Sequence, residues 1–148
     1  MAERFEKFSL AISELYQYLH KITREEMEEY GLNGPHAIYF FILARHENGL
    51  TCSELSEASF RDKADVSRAM ALFEKKGLVK KVAGKAGGYR AKIVLTEIGM
   101  DAARKLRERA IIVSDLVDKG MTDQRRDALY STLALLALNM REICNDKT

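Results

Sequence analysis

Residues Asp62 to Gly77, DKADVSRAMALFEKKG, decide how the rest of the chain is read. The stretch reads as one helix. Asp62 is placed to cap it, because a carboxylate there can accept from the free N–H groups of the first turn. Asp65 puts negative charge near the positive end of the helix dipole, and Lys75 and Lys76 put positive charge near the other end. Gly77 is the residue expected just past the last turn. Val66, Met70 (or Ala69), Phe73 and Gly77 recur at three- and four-residue spacing and predict one apolar face. Lys63, Ser67 and Arg68 lie opposite, near the start, with no bulky aliphatic among them. A packed back and a small polar front suit a helix that lies in the DNA major groove. Many amphipathic surface helices fit the same description, so the flanking sequence has to decide.

The chain has 148 residues and a net charge of +2. That length bounds it to one compact unit with room for a real core. The charge is unevenly spread. Residues 1–60 carry 5 basic and 10 acidic side chains, residues 61–92 carry 10 and 3, and residues 93–148 carry 9 of each. A basic middle between acidic and neutral flanks is the footprint of a local polyanion site, although a solvated lysine-rich hairpin gives the same count. The N-terminus has no apolar run of the signal-peptide kind, and no stretch is long enough to span a membrane. With only Cys52 and Cys144 present, reduced thiols in a cytoplasm are expected.

Taken in order, residues 3–30 read as a first helix. Phe5, Phe8, Ile12, Leu15, Leu19 and Ile22 step by 3, 4, 3, 4, 3, the seam of a coiled coil. A turn at Leu32-Asn33-Gly34-Pro35 leads into a second helix, about Pro35 to Glu47. Ile38, Phe41 and Ile42 share one side of it, and Tyr39, Phe40 and Leu43 cover others, so burial is expected. Thr51 with Glu54 forms a capping box for a short helix to about Ser59, with Leu55 and Ala58 inward. A link through Phe60 and Arg61 then joins the opening stretch, completing a helix-turn-helix. After Gly77, residues 78–83 read as a strand, 84–88 as a glycine-rich turn and 89–95 as the return strand, a hairpin wing. Thr96 caps a helix over about 97–118, with Ile98, Ala102, Leu106, Ala110, Val113 and Val117 on one face. Thr122 caps the last helix, about 123–145. There Leu129, Leu133, Leu136, Met140 and Ile143 form a second seam.

These elements are mainly α with one β-hairpin wing. At this point the chain resembles the multiple-antibiotic-resistance regulator (MarR) family of winged-helix transcription factors. The matching blocks are LTCSELS at 50–56, VSR at 66–68 with LFEKKGLV at 72–79, and RAKIVLTEIG at 90–99. Family wings commonly carry Asp-x-Arg before the return strand, whereas here the matching region is Gly87-Gly88-Tyr89-Arg90 with no Asp.

The resemblance implies one MarR-type domain. Residues 1–31 and 121–148 would supply dimerisation helices and 35–96 the winged helix-turn-helix, with the helix-turn-helix at 51–77, the wing at 78–95 and a connecting helix at 97–118. It implies a homodimer on a pseudo-palindromic operator in double-stranded DNA, with repression the expected sign. Lys63, Ala64, Ser67 and Arg68 would lie at or near base edges. Ser53, Lys75, Lys76, Lys85 and Arg90 would serve phosphates or the wing contact. A small aromatic effector would release DNA, with Tyr16, Tyr18, His36, Tyr39 and Phe40 as candidates for its pocket, although aromatics at such positions also build cores.

Cys52, in a first helical turn, is a candidate redox site or a buried inert thiol. His20, His36 and His46 lack any ligand spacing, so no metal and no cofactor is expected. No catalytic motif of the G-x-S-x-G, H-E-x-x-H or phosphate-loop kind occurs, so an enzyme is not expected. The competing class is a winged helix that docks proteins without touching DNA.

Overall fold

The computed structural model describes residues 2–83 and 91–146. They divide into two units, one running to Ala110 and the other beginning at Ile111. The first holds helices α1 (Ala2–Ile22), α2 (Arg24–Glu28), α3 (Ala37–Leu43), α4 (Cys52–Ser59) and α5 (Lys63–Lys75). It also holds strands β1 (Val79–Val82) and β2 (Lys92–Leu95), and most of α6 (Glu97–Val117). The second holds the end of α6 and helix α7 (Asp123–Asn145).

The core of the first unit is built around the back of α5. Val66, Ala69, Met70 and Phe73 are buried, as the spacing predicts. Phe73 stacks on Phe40 with ring centroids 4.9 Å apart, and meets the edges of Tyr39 and His36 at 6.0 and 5.5 Å. Leu55 from α4, Leu78 beside β1, Ile93 from β2 and Leu106 from α6 complete the cluster. The caps fall where the sequence puts them. Asp62 accepts from the Asp65 N–H at 2.8 Å. Thr51 and Glu54 bond each other's backbone N–H groups at 3.2 and 2.8 Å. Thr122 accepts from the Arg125 N–H.

Gly77 takes φ +72°, a left-handed position that an L side chain enters at a cost. The Leu78 N–H then reaches the Phe73 carbonyl at 2.9 Å, which closes the end of α5 and aims the chain into β1. β1 and β2 pair antiparallel, with Val79 opposite Leu95 and Val82 opposite Lys92. Leu50 bonds Ile93 in both directions, at 3.1 and 2.7 Å, and so adds a third backbone segment to the hairpin. Gly99 lets α6 pack directly on this base. A Cβ there would sit 2.0 Å from the Leu78 carbonyl oxygen.

Five expectations need correction. The first helix breaks at Thr23, whose hydroxyl bonds the Gly34 carbonyl at 3.2 Å as well as the carbonyl of Leu19. The short α2 beyond the break buries Met27. The second helix ends at Leu43, not Glu47. There the turns tighten to three-residue bonds, from Arg45 to Ile42 and from His46 to Leu43. Its inward side is Ala37, Tyr39, Phe40 and Leu43, while Ile38 is exposed. In α4, Ser59 and not Ala58 turns inward beside Leu55. In α6, Ile98 is exposed, and the buried set is Gly99, Ala102, Ala103 and Leu106. The wing tip and the first part of the return strand, residues 84–90, lie outside the described residues.

Neither α1 nor α7 buries a single residue. Phe5, Leu15 and Leu19 of the first seam are each at least 60% exposed. Leu129, Leu133, Met140 and Ile143 of the second are exposed too. No helix among the described residues is long and apolar enough to cross a membrane.

Candidate nucleic-acid interface

With its back fixed by Phe73 and Val66, α5 must present the opposite side to solvent. Lys63, Ala64, Ser67 and Arg68 are all exposed there. Ala71 and Lys75 extend the same ridge, three and four residues further on each time, and both are exposed. Ala71 is absent from the sequence-based set. It is distinguished only by lying on this stripe, and its small side chain keeps the ridge shallow. Lys76 is exposed at the C-terminal end of α5, and Ser53 is exposed in the first turn of α4.

The ridge holds mixed charge. Arg68 Nη2 donates to Asp65 Oδ1, one turn toward the N-terminus. The strands behind it are more uniformly basic, with Lys80 and Lys81 exposed on β1 and Lys92 half-exposed on β2. Lys85 and Arg90 lie outside the described residues.

A cavity of 610 Å³ opens between α1, the chain entering α3, and the α4–α5 turn. Leu19, Ile38 and Phe41 supply apolar wall, and Tyr16, His20 and Arg61 supply polar groups. The Arg61 guanidinium donates to the Tyr16 hydroxyl at 2.8 Å, which ties α1 to the residue just before the cap of α5. The Arg61 carbonyl accepts from Ser56 Oγ at 2.5 Å, so its backbone is held as well. Phe60, in the left-handed region at φ +55°, turns the chain between the two helices and stands at the cavity wall. Sequence reading treats Phe60 and Arg61 as a bare link. A cation directly before a helix cap was the available signal.

Of the residues expected to line an effector pocket, Tyr16 lines this one. Tyr39 and Phe40 are buried against Phe73 instead. His36 is outside the lining, with its ring edge on Phe73 and its Nδ1 accepting from the Asn33 N–H at 3.2 Å. Tyr18 is 52% exposed beside the Lys21 ammonium and also lies outside the lining. Burial, and secondly the Arg61 charge, hold the His36 and His20 imidazoles below the usual histidine range. Burial pushes the Tyr39 phenol up.

Cys52 is half-buried against the core in the first turn of α4, and Cys144 is exposed near the end of α7. Among the described residues, no group of three or more His, Cys, Asp or Glu could hold a metal ion.

The sequence model of the MarR family matches residues 30–88, the span from the end of α2 to the hairpin. No curated protein sequence matches the chain. Many solved structures share its architecture, among them the following three. A MarR transcriptional regulator from Methanosarcina mazei Go1 is 22% identical with a TM-score of 0.79, over 93% of this chain and 99% of that one. The MepR–DNA complex of S. aureus is 14% identical with a TM-score of 0.79, over 89% and 97%. The PcaV transcriptional regulator of Streptomyces coelicolor, solved with its natural ligand, is 17% identical with a TM-score of 0.73, over 86% and 89%. Residues 30–88 therefore carry the MarR-family sequence pattern, and the chain as a whole has the fold of MarR-family transcriptional regulators.

Proposed function

We propose that the chain is a transcriptional regulator that binds double-stranded DNA as a homodimer. The observation that carries this reading is the split of α5 into two sides. One side is locked into the core, and the other offers Lys63, Ala64, Ser67 and Arg68 to solvent. Arg68 can take the O6 and N7 of guanine with two hydrogen bonds. Ala64, Ser67 and Ala71 are small enough for the helix to sit deep in the major groove. Ser53, Lys75 and Lys76 serve phosphates. The hairpin, with Lys85 and Arg90, reaches the adjacent minor groove, where cations are favoured by the negative potential.

Exposed apolar surface on α1 and α7 supports the dimer. α1 and α7 each carry a regular apolar seam that is mostly exposed in the single chain, with only Phe8, Ile22 and Leu136 partly covered. Exposed apolar faces of that length are marks of association. A second copy covers both, and a two-fold pair then sets two recognition helices about one DNA turn apart. Repression is the expected sign of regulation, because a protein seated over a promoter excludes the polymerase.

The cavity beside Arg61 is the effector site of this reading. Its apolar wall suits an aromatic ring, and Arg61 with Tyr16 suits a phenolic or carboxylate group on that ring. A ligand that takes over Arg61 releases the bond tying α1 to the start of α5. The occurrence of PcaV with a natural ligand on the same fold supports a small-molecule effector.

Selection of bound duplexes from a random pool tests the reading. Two inverted half-sites with centres about 10 base pairs apart are expected. A pool that shows no enrichment, with affinity indifferent to salt, would instead indicate a protein-docking module.

A further inference from the structure

The acids of the basic segment are placed oddly for a surface that meets a polyanion. Asp62, Asp65 and Glu74 are the only acids in residues 61–92, and all three belong to α5 or its cap. The sequence from residue 78 to residue 92 has five cations and no acid. The attraction to phosphate is thus concentrated in the segment after α5, and the helix that would meet base edges is close to neutral.

Asp65 is the acid nearest the ridge. Its backbone N–H is bound by Asp62 Oδ1 at 2.8 Å, so it is anchored in the capped first turn. Its carboxylate accepts from the guanidinium of Arg68. The pair lies in the open, with the Arg68 side chain 70% and the Asp65 side chain 47% exposed. The helix dipole accounts for an acid in the first turn. It does not account for an acid aimed at the one arginine on the groove-facing ridge, where it repels phosphate.

We propose that Asp65 is a positioning and specificity residue for base readout by Arg68; this rests on the DNA-binding reading above. The carboxylate takes one N–H of Arg68 Nη2 and leaves the other guanidinium donors for base acceptors. Arg68 is thereby pre-aligned for the paired acceptors of guanine, which lowers the rotamer freedom it loses on binding. The same carboxylate makes Arg68 a poor phosphate clamp, because its charge is partly answered and an approaching phosphate meets Asp65 as well. Discrimination rises at the expense of non-specific affinity.

The test compares the wild-type chain with Asp65→Asn, Arg68→Ala and the double variant. Each is titrated by fluorescence anisotropy against the duplex selected by the wild type and against a random duplex of equal length, at one salt concentration. Asp65→Asn is expected to bind the random duplex about 2- to 10-fold tighter, since one repulsive charge is gone. Its ratio of selected to random affinity is expected to fall about 5-fold or more. In the Arg68→Ala background the same change is expected to leave the ratio where it was. An unchanged ratio in Asp65→Asn, or an equal fall with and without Arg68, overturns the proposal. Asp65→Ser serves as the second variant should Asp65→Asn fold poorly, with the same outcomes. A wild-type chain that binds neither duplex overturns the DNA-binding reading itself, and the wild-type titration reveals that before any variant is compared.

Discussion

Replacing Gly99 by alanine sets two effects of opposite sign against each other. Gly99 lies in the first turns of α6, so helix propensity alone favours alanine by about 1 kcal/mol. The structure predicts the reverse. A Cβ at this position would stand 2.0 Å from the Leu78 carbonyl oxygen and 3.1 Å from Leu95 Cδ2. The first is backbone at the root of the hairpin and cannot rotate aside. It also accepts the Thr96 N–H at 3.0 Å, so displacing it weakens the start of α6 as well. Overpacking costs about 1–3 kcal/mol, and a weakened buried hydrogen bond adds about 1 kcal/mol.

Set against the propensity gain, the net loss is about 2 kcal/mol. With a urea slope of about 2 kcal/mol per M, the unfolding midpoint falls by about 1 M. Gly77→Ala is the internal comparison. Gly77 has φ +72° but nothing within 4 Å of an added Cβ, so only the left-handed backbone is penalised, at about 1 kcal/mol or a little more. Urea unfolding followed by circular dichroism, at one protein concentration because association contributes to stability, measures both. A Gly99→Ala midpoint at or above the wild type would refute the packing of α6 on the hairpin root.

Four further outcomes are expected. Arg68→Ala should flatten the preference for a selected duplex over a random one, and Arg90→Ala should reduce the salt slope by about 1; anisotropy titrations check both. Arg61→Gln removes the guanidinium that bonds Tyr16, and should abolish release of DNA by phenols or aromatic acids while leaving DNA affinity in their absence within about 3-fold. Displacement assays with a panel of such compounds measure this. Burial and, secondly, the Arg61 charge disfavour protonation of His36 in the folded chain, where its neutral ring accepts the Asn33 N–H. The stability it contributes is therefore present above the ordinary histidine value of 6.5 and is lost as pH falls through its lowered folded value. Melting temperatures taken from about pH 7.5 to about pH 5 should fall less steeply for His36→Gln than for the wild type.

The helix-turn-helix was legible because its signals are local. A capping box at Thr51, a cap at Asp62 and a stop at Gly77 need only a few residues each, and the apolar period of α5 lies within a single helix. The missed features depend on contacts far along the chain. Thr23 breaks α1 through the carbonyl of Gly34, and no rule of helix periodicity contains that partner. Ile38 and Ile98 have the right spacing for a core but face outward, since periodicity defines a face without saying what it meets. The aromatics Tyr39 and Phe40 served the core because Phe73 lies against them, while Arg61, in what reads as a linker, became the polar centre of the cavity. Residue type alone could not separate these roles.

The most direct measurement is the salt dependence of wild-type binding to a duplex recovered by selection. A dimer that uses its hairpin and α5 against the phosphate backbone predicts a steep straight line of log affinity against log salt, falling by about 0.9 for each phosphate neutralised, with several phosphates engaged. A flat line, or a single subunit that ignores duplex even at low salt, would contradict the account.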